Sequence, residues 1–84
     1  MLNSVKWNSP VICHMRQAST VFCEITNTRE AAHCLMANWP EARGEAYYKA
    51  IRICGLVLCG FVTPEVSRRS FIDAAKESSI RTQY

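Results

Sequence analysis

The chain has 84 residues, of which 49% are hydrophobic and 20% charged, and its formal net charge is +3. Apolar residues run along nearly the whole chain, which excludes intrinsic disorder, and the weak positive charge lacks the dense basic stripe of most nucleic-acid-binding proteins. A chain of this length forms one domain. We expect a single domain over residues 1–84, with residues 1–9 as a polar lead-in.

Membrane and secreted proteins are also disfavoured by the order of the residues. The longest uncharged run, residues 53–64, is much shorter than the roughly 20 residues of a membrane-spanning helix. Residues 1–10 contain no apolar segment of a secretory signal. The five cysteines are an odd number, and most of them lie in apolar periodic segments that are typical of buried free thiols. We therefore expect a cytoplasmic protein with no membrane contact.

Two strands are predicted near the N-terminus, at residues 11–15 and 20–25. Pro10 suits the entry of the first strand, and the second is rich in β-branched and aromatic residues. The short polar turn at residues 16–19 favours an antiparallel hairpin. Alternation predicts which side chains share the inner face of this hairpin: Val11, Cys13, Met15, Val21, Cys23 and Ile25.

The opposite face of the hairpin carries His14, Glu24 and two large apolar residues. Ile12 and Phe22 are out of place on a solvated face, so this face is either covered or in contact with another molecule. Trp7 precedes the hairpin and is available to extend the same surface. We therefore predict a candidate interaction surface of Trp7, Ile12 and Phe22, on the sheet face and beside its open edge.

The first helix begins with a recognisable N-cap. Asn27 and Glu30 have the spacing of a capping box. Pro40 disfavours helical backbone at the residue before it, so we expect the helix to end near Asn38. Its predicted buried stripe consists of Ala31, Ala32, Leu35, Met36 and Trp39.

The second helix, from about residue 43 or 44 to Cys59, is predicted to be the centre of the core. No charged side chain occurs between Arg52 and Glu65, and a helix that loses its polar face has neighbours on most sides. Gly60 fits its C-terminal cap. Gly55 costs about 1 kcal/mol relative to alanine in mid-helix. We attribute it to the close approach of another backbone, so that Gly55→Leu would strongly destabilise the fold.

The third helix has clear start signals, with Thr63 as N-cap, Pro64 at the first helical position and Glu65 in the first turn. Residues 80–84 alternate, and they form either a tail or a short third strand that stabilises the hairpin. The predicted fold is therefore α+β, in the order ββααα, with or without a final strand. The predicted buried stripe of the third helix is Phe71, Ile72, Ala74, Ala75 and Ser78.

No catalytic or metal-binding motif is evident. The two histidines and five cysteines show neither the ligand spacing of structural zinc sites nor the arrangement of a nucleophile beside a base. The three glycines are scattered, which argues against a phosphate-binding loop. We therefore predict no enzyme activity, no catalytic residue, no metal and no cofactor.

Two kinds of partner are compatible with this chain. The leading interpretation is a small noncatalytic binding module that forms a homodimer or docks a partner protein on its sheet face. The alternative is a nucleic-acid-associated protein in which Arg68, Arg69 and Lys76 of the third helix contact phosphates. Charges on the helices are also spaced for i,i+4 ion pairs: Glu45–Lys49, Glu65–Arg69, Arg69–Asp73 and Glu77–Arg81.

Several segments together resemble a known family. They are Pro10-Val11, Ala31 to Leu35, Trp39-Pro40 with Tyr48, Ala50 and Cys54 after it, and Arg68 followed by Phe71-Ile72 and Ala74-Ala75. From about Trp7 to Ile80 the chain resembles the domain of unknown function 982 family, which consists of small bacterial single-domain proteins. It departs from that family's pattern at Ser78-Ser79, where a small apolar residue and a glycine are expected. The resemblance implies a compact α+β domain and no particular activity.

Overall fold

In the part of the chain that the structure describes, two helices pack against a three-stranded antiparallel sheet, and a further helix packs against those two helices. The computed structural model describes residues 6–16, 20–37, 39 and 43–84, and of residues 15, 16 and 20–22 it describes the backbone alone. The predicted α+β class is confirmed, and a third strand is present. The elements in chain order are β1 (Lys6–Arg16), β2 (Thr20–Asn27), α1 (Thr28–Ala37), α2 (Glu45–Leu58), α3 (Pro64–Glu77) and β3 (Arg81–Gln83).

The strand order is β2-β1-β3, so the hairpin does not stand apart from the helices that follow it. The last strand returns to lie antiparallel beside the first, where Thr82 faces Cys13. Cys13 also faces Cys23 across the β1–β2 pair. A two-stranded hairpin is marginal in water, and β3 supplies the third strand that makes β1 central.

Trp7 lies in the core, in a part of β1 whose pairing with β2 is irregular. Lys6 pairs with Asn27, whereas Val11 already pairs with Ile25, so β1 contains extra residues in this interval. Trp7 is 6% exposed, and its ring centroid lies 6.1 Å from that of Phe71. The prediction that Trp7 belongs to an exposed contact surface is therefore wrong. Residues 6–9 of the predicted lead-in belong to β1, and residues 1–5 lie outside the described chain.

A buried chain of hydrogen bonds explains how Trp7 is accommodated. Its indole Nε1–H donates to the Thr28 hydroxyl at 3.2 Å, and the Thr28 and Ser67 hydroxyl oxygens are 2.7 Å apart. Because the Ser67 hydroxyl donates to the Pro64 carbonyl oxygen at 2.7 Å, Thr28 is the donor to Ser67. The polar groups of these three buried side chains thereby satisfy one another, which offsets the cost of burying them.

The centre of the core is α3 and not α2. This helix packs against α1, α2, β1 and β3. Phe71 is fully buried, and its ring also meets that of Trp39 at 5.6 Å. The predicted stripe of α3 is confirmed for Phe71, Ile72, Ala74 and Ala75. Ser78 is half-buried and accepts a hydrogen bond from the Trp39 indole at 3.1 Å.

The prediction that the second half of α2 is enclosed is wrong. The buried residues of α2 are Tyr47, Ala50 and Cys54, which form a single narrow stripe. Leu56 is 38% exposed, and Phe61, just after the helix, is 78% exposed. The absence of charge after Arg52 did not predict burial, because one buried stripe is enough to hold this helix against α3. The remaining apolar side chains of its second half stay in contact with solvent.

The two glycines at the end of α2 have different roles. Nothing lies within 4 Å of the position that a Cβ on Gly55 would occupy, so the predicted close backbone approach is wrong. Gly60 has φ of 87° and ends the helix as predicted. Its N–H donates to the Val57 carbonyl at 2.9 Å, and the next N–H, of Phe61, donates to the Leu56 carbonyl at 2.8 Å. This pair of bonds is a Schellman motif.

The start of α1 confirms Asn27 as the N-cap, but Glu30 bonds to Thr26 and not to the N–H of Asn27 as in a capping box. The Asn27 side-chain oxygen accepts a hydrogen bond from the Glu30 N–H at 2.8 Å. The Glu30 carboxylate accepts bonds from the N–H and hydroxyl of Thr26, both at 2.7 Å, and these bonds lower the pKa of Glu30. The helix ends at Ala37, and Asn38 and Pro40 lie outside the described residues. Met36 is 69% exposed, so its predicted burial is wrong.

The start of α2 is capped by a side chain from the end of α3. The Glu77 carboxylate accepts hydrogen bonds from the N–H groups of Gly44, Ala46 and Tyr47 at 3.2, 3.0 and 3.1 Å. These bonds, the one from Ala46 foremost, lower the pKa of Glu77. The i,i+4 spacing predicted Arg81 as the partner of Glu77. The helix N-terminus takes this role because it offers three donors and a favourable dipole.

The end of α3 repeats the cap of α2 with a serine in the place of glycine. Ser79 has φ of 60°, and its N–H donates to the Lys76 carbonyl at 3.1 Å. The N–H of Ile80 donates to the Ala75 carbonyl at 2.8 Å, and the Ile80 side chain is buried. This second Schellman motif turns the chain from α3 into β3.

Candidate binding groove

The residues predicted as one interaction surface do not form one surface. Trp7 is buried on the helix side of the sheet, whereas Ile12 is half-buried on the opposite face. The side chain of Phe22 lies outside the described residues. On the inner face, Val11, Cys13 and Ile25 are buried and Cys23 is half-buried, as alternation predicts, while the side chains of Met15 and Val21 lie outside the description.

The outer face of the sheet is more polar than the hairpin alone indicates. In the β1–β3 pair, Gln83 lies opposite Ile12 and Arg81 lies opposite His14. Residues that are directly opposite share one face of a sheet, so β3 adds two polar side chains beside the apolar Ile12. Glu24 is exposed on the same face. The apolar outer surface predicted from the hairpin is therefore smaller than expected.

A groove of about 560 Å³ lies between β2 and α1. Since every described residue that lines it belongs to one of these two elements, the groove opens at the β2 edge of the sheet. We call it the β2–α1 groove. It is lined by Cys23, Glu24, Ile25, Arg29, Glu30, His33 and Cys34.

The floor of the β2–α1 groove is apolar and its rim is charged. Ile25 and Cys34 are buried beneath it. Arg29 and His33 are exposed on the α1 side, and Glu24 is exposed on the β2 side. A concave apolar floor with a few polar groups around it is the usual composition of a binding site.

The buried thiols in and near the groove are poor nucleophiles. Burial, reinforced by the nearby Cys23 thiol, raises the pKa of Cys34 to about 11. Burial and the thiols of Cys34 and Cys23 raise the pKa of Cys13 to about 12. Burial also raises the pKa of Cys54 to about 11. Since the thiolate is the reactive form, these cysteines are neutral near pH 7 and behave as small apolar residues.

The strand beside the groove has a free edge in the described sheet. β2 is eight residues long and pairs with β1 on one side. An edge strand presents backbone N–H and C=O groups to any chain that approaches it, and several peptide-binding domains use this property. The β2–α1 groove therefore combines an apolar floor with a row of backbone hydrogen-bonding groups.

The predicted nucleic-acid contacts have partners within the chain. Arg68 is 15% exposed at its side chain, donates from Nε to the Ser9 carbonyl at 2.9 Å, and lies 3.5 Å from Glu65. Arg69 is exposed and lies 3.4 Å from the same carboxylate. The cations of Arg68 and Lys76 lie 6.0 and 5.7 Å from the centre of the Tyr84 ring. Glu65 thus contacts both arginines and offsets one of their two positive charges.

The sequence did not predict the β2–α1 groove. It also did not predict the exposed apolar residues Leu56 and Phe61 at the end of α2, which we call the apolar corner. The groove has no local signal because its two sides come from different elements whose separation is set by packing. The corner had a signal, the uncharged run 53–64, that was interpreted as burial. Among the described residues, no group of three or more histidine, cysteine, aspartate or glutamate side chains is arranged to hold a metal ion.

Residues 9–82 match the family model described as Protein of unknown function (DUF982), which covers nearly the whole chain. The chain belongs to the DUF982 family. This confirms the resemblance carried by Trp39-Pro40 and by the segment from Arg68 to Ala75. Searches of curated proteins and of solved structures found no significant match. Within the described part of this DUF982 protein, no helix has the length and apolar character needed to cross a membrane.

Proposed function

We propose that this DUF982 protein is a small noncatalytic binding domain that docks a segment of another protein in the β2–α1 groove. The observation that carries the proposal is the position of the apolar floor beside the edge of β2 that no described strand covers. Backbone hydrogen bonds along the edge supply affinity, and the floor supplies apolar contact.

Binding is favoured over catalysis by the chemistry of the residues around the groove. Its buried thiol, Cys34, has a raised pKa and is protonated near neutral pH. The Glu30 carboxylate is already engaged by Thr26 and is held ionised, which is the wrong state for a general acid. These groups suit a site that holds a ligand without transforming it.

Docking in the groove is also favoured over docking on the outer sheet face. The outer face carries the polar Arg81 and Gln83 beside Ile12, which reduces its apolar surface. The groove is concave and places backbone and apolar groups together, which gives a ligand more contact for each ordered residue.

Selection from a random-peptide display library tests the proposal. Selected peptides are expected to shift the amide resonances of residues 23–25 and 29–34. In a groove variant, Arg29→Ala with His33→Ala, they are expected to bind about threefold more weakly, since two exposed rim contacts are lost. The matched control is Lys49→Ala with Arg52→Ala, which removes two exposed cations from α2 and leaves affinity unchanged.

Two results would contradict the proposal. The first is that the selected peptides shift resonances around Phe61 or along residues 68–76 and leave the groove unaffected. The second is that no peptide binds saturably below ~1 mM, the weak end of specific recognition. The first result would place the binding surface at the apolar corner or on the basic part of α3, and the second would exclude peptide docking in the groove.

A further inference from the structure

We infer that the ligand of the β2–α1 groove is an extended peptide that adds a strand to β2 and carries a Lys or Arg between two apolar residues. This inference rests on the proposed function and specifies its partner. The juxtaposition that carries it is a single exposed carboxylate on the edge strand, Glu24, with the half-buried Cys23 on one side and the buried Ile25 on the other.

Alternation along β2 decides which residues of the peptide face which surface. Cys23 and Ile25 point toward the helices, while Glu24 between them is exposed on the outer face. A residue that is directly opposite another across a strand pair lies on the same face. The peptide residue opposite Glu24 therefore lies on the outer face, and its two neighbours lie over the groove floor.

Charge determines the residue opposite Glu24. Among residues 20–27, Glu24 is the one charged side chain, so it dominates the electrostatics of the outer side of this edge. Directly opposite unlike charges stabilise a strand pair, and like charges destabilise it. A Lys or Arg is favoured at this position of the peptide, and an acidic residue is disfavoured.

The two peptide residues that flank the basic residue face the apolar floor of the groove and not the outer face of the sheet. They lie beside Ile25 and Cys34, both buried, the latter with a thiol that stays neutral. On the α1 side the charge of Arg29 is offset by the Glu30 carboxylate, so the apolar floor decides which residues fit here. Valine and isoleucine suit these positions because they are apolar and have high strand propensity.

A second copy of the chain is a poorer ligand for the same edge. If two β2 strands pair through a two-fold axis at Glu24, the two Glu24 carboxylates lie directly opposite each other. Such a like-charge pair destabilises the association. The charge on β2 therefore selects a foreign segment over self-pairing.

Three capped nine-residue peptides test the inference. Each alternates valine on the inner side with threonine on the outer side, and the central outer residue is Lys, Gln or Glu. Dissociation constants are measured by fluorescence anisotropy at about 0.15 M salt, where exposed charges are still felt over roughly 8 Å. We expect the wild type to bind the Lys peptide about fivefold more tightly than the Glu peptide, with Gln between them.

Charge reversal on the protein provides the decisive control. Glu24→Lys is expected to invert the order of the three peptides. Glu45→Lys makes the same change in net charge at an exposed site on α2, outside the groove, and is expected to leave the order unchanged. Thermal melting of both variants verifies that they are folded.

The outcomes separate this inference from the proposed function. If wild type binds the Lys and Glu peptides equally and their binding still maps to the groove, the inference is overturned and the proposed function stands. If Glu45→Lys inverts the order as Glu24→Lys does, net charge explains the preference and the inference is overturned. A dimer in sedimentation at ~100 μM that is paired through β2 also overturns it. If neither these peptides nor any selected peptide binds the groove, both proposals fall.

Discussion

The same substitution at two glycines of one helix end is expected to have opposite effects on stability. Gly55 lies inside α2, and nothing is within 4 Å of the position of an added Cβ. Gly55→Ala is therefore expected to raise the free energy of unfolding by about 1 kcal/mol through helix propensity alone. For a domain of this size, that corresponds to a rise in Tm of about 4–8 °C.

The matched control is Gly60→Ala. The position also has open space around it, but φ of 87° is a conformation that an L side chain adopts at a cost of about 1–2 kcal/mol. A fall in Tm is therefore expected. Because both changes add one methyl group to an exposed position, any general effect of the substitution cancels in the comparison.

Circular dichroism melts and urea unfolding measure both variants. A loss of stability in Gly55→Ala would refute the open surroundings of this residue and restore the close backbone approach that the sequence favoured. A gain in Gly60→Ala would refute the left-handed cap. Gly55→Leu, which the enclosed-helix hypothesis predicts to be strongly destabilising, is expected to raise stability by a little less than the about 1 kcal/mol of Gly55→Ala, because the Cβ position is open and leucine has a high helix propensity.

Three further predictions follow from individual contacts. Ser79→Gly is expected to stabilise the protein by about 1 kcal/mol, seen as a higher urea midpoint, because glycine adopts φ of 60° without the Cβ clash. Glu77→Gln is expected to lower stability above pH 4.5, the unperturbed carboxyl pKa, and to flatten its dependence on pH below that value. The reason is that a lowered pKa contributes stability that is lost as the carboxylate is protonated; equal slopes in both proteins would contradict the cap. Trp7→Ala is expected to cost about 3–5 kcal/mol in urea unfolding. Tyr48→Ala, at an exposed ring, should cost far less, and similar losses would contradict the burial of Trp7.

Local signals in the sequence located most of the elements. Asn27 acts through a side-chain hydrogen bond and Gly60 through its dihedral angle, both within a few residues, so their effect does not depend on the rest of the fold. Thr63 occupies the predicted N-cap position of α3, but its side chain makes no capping hydrogen bond. The buried stripe of α3 could also be predicted from the sequence, because small and aromatic residues recur at helical spacing on one face.

The groove could not be found in the same way. Cys23 and Ile25 were correctly placed on the inner face of the hairpin, but nothing in the sequence showed that α1 would leave a gap beside them. The charge of Glu24 can select an added strand only because β2 is an edge strand of the described sheet, which the sequence did not show. The hairpin alone left open whether a third strand would pair with β1 or with the outer side of β2, and the β2-β1-β3 order shows that it pairs with β1.

The sequence by itself determined the class of the fold, the order of its first five elements and the caps at Asn27 and Gly60, because these depend on interactions between near neighbours in the chain. The tertiary structure decided which apolar residues are covered: Trp7 is inside, and Leu56 and Phe61 are outside. The physical reason is that a domain this small has more apolar surface than its core can bury. Hydrophobicity cannot rank residues that are all apolar, and long-range packing around α3 makes that choice.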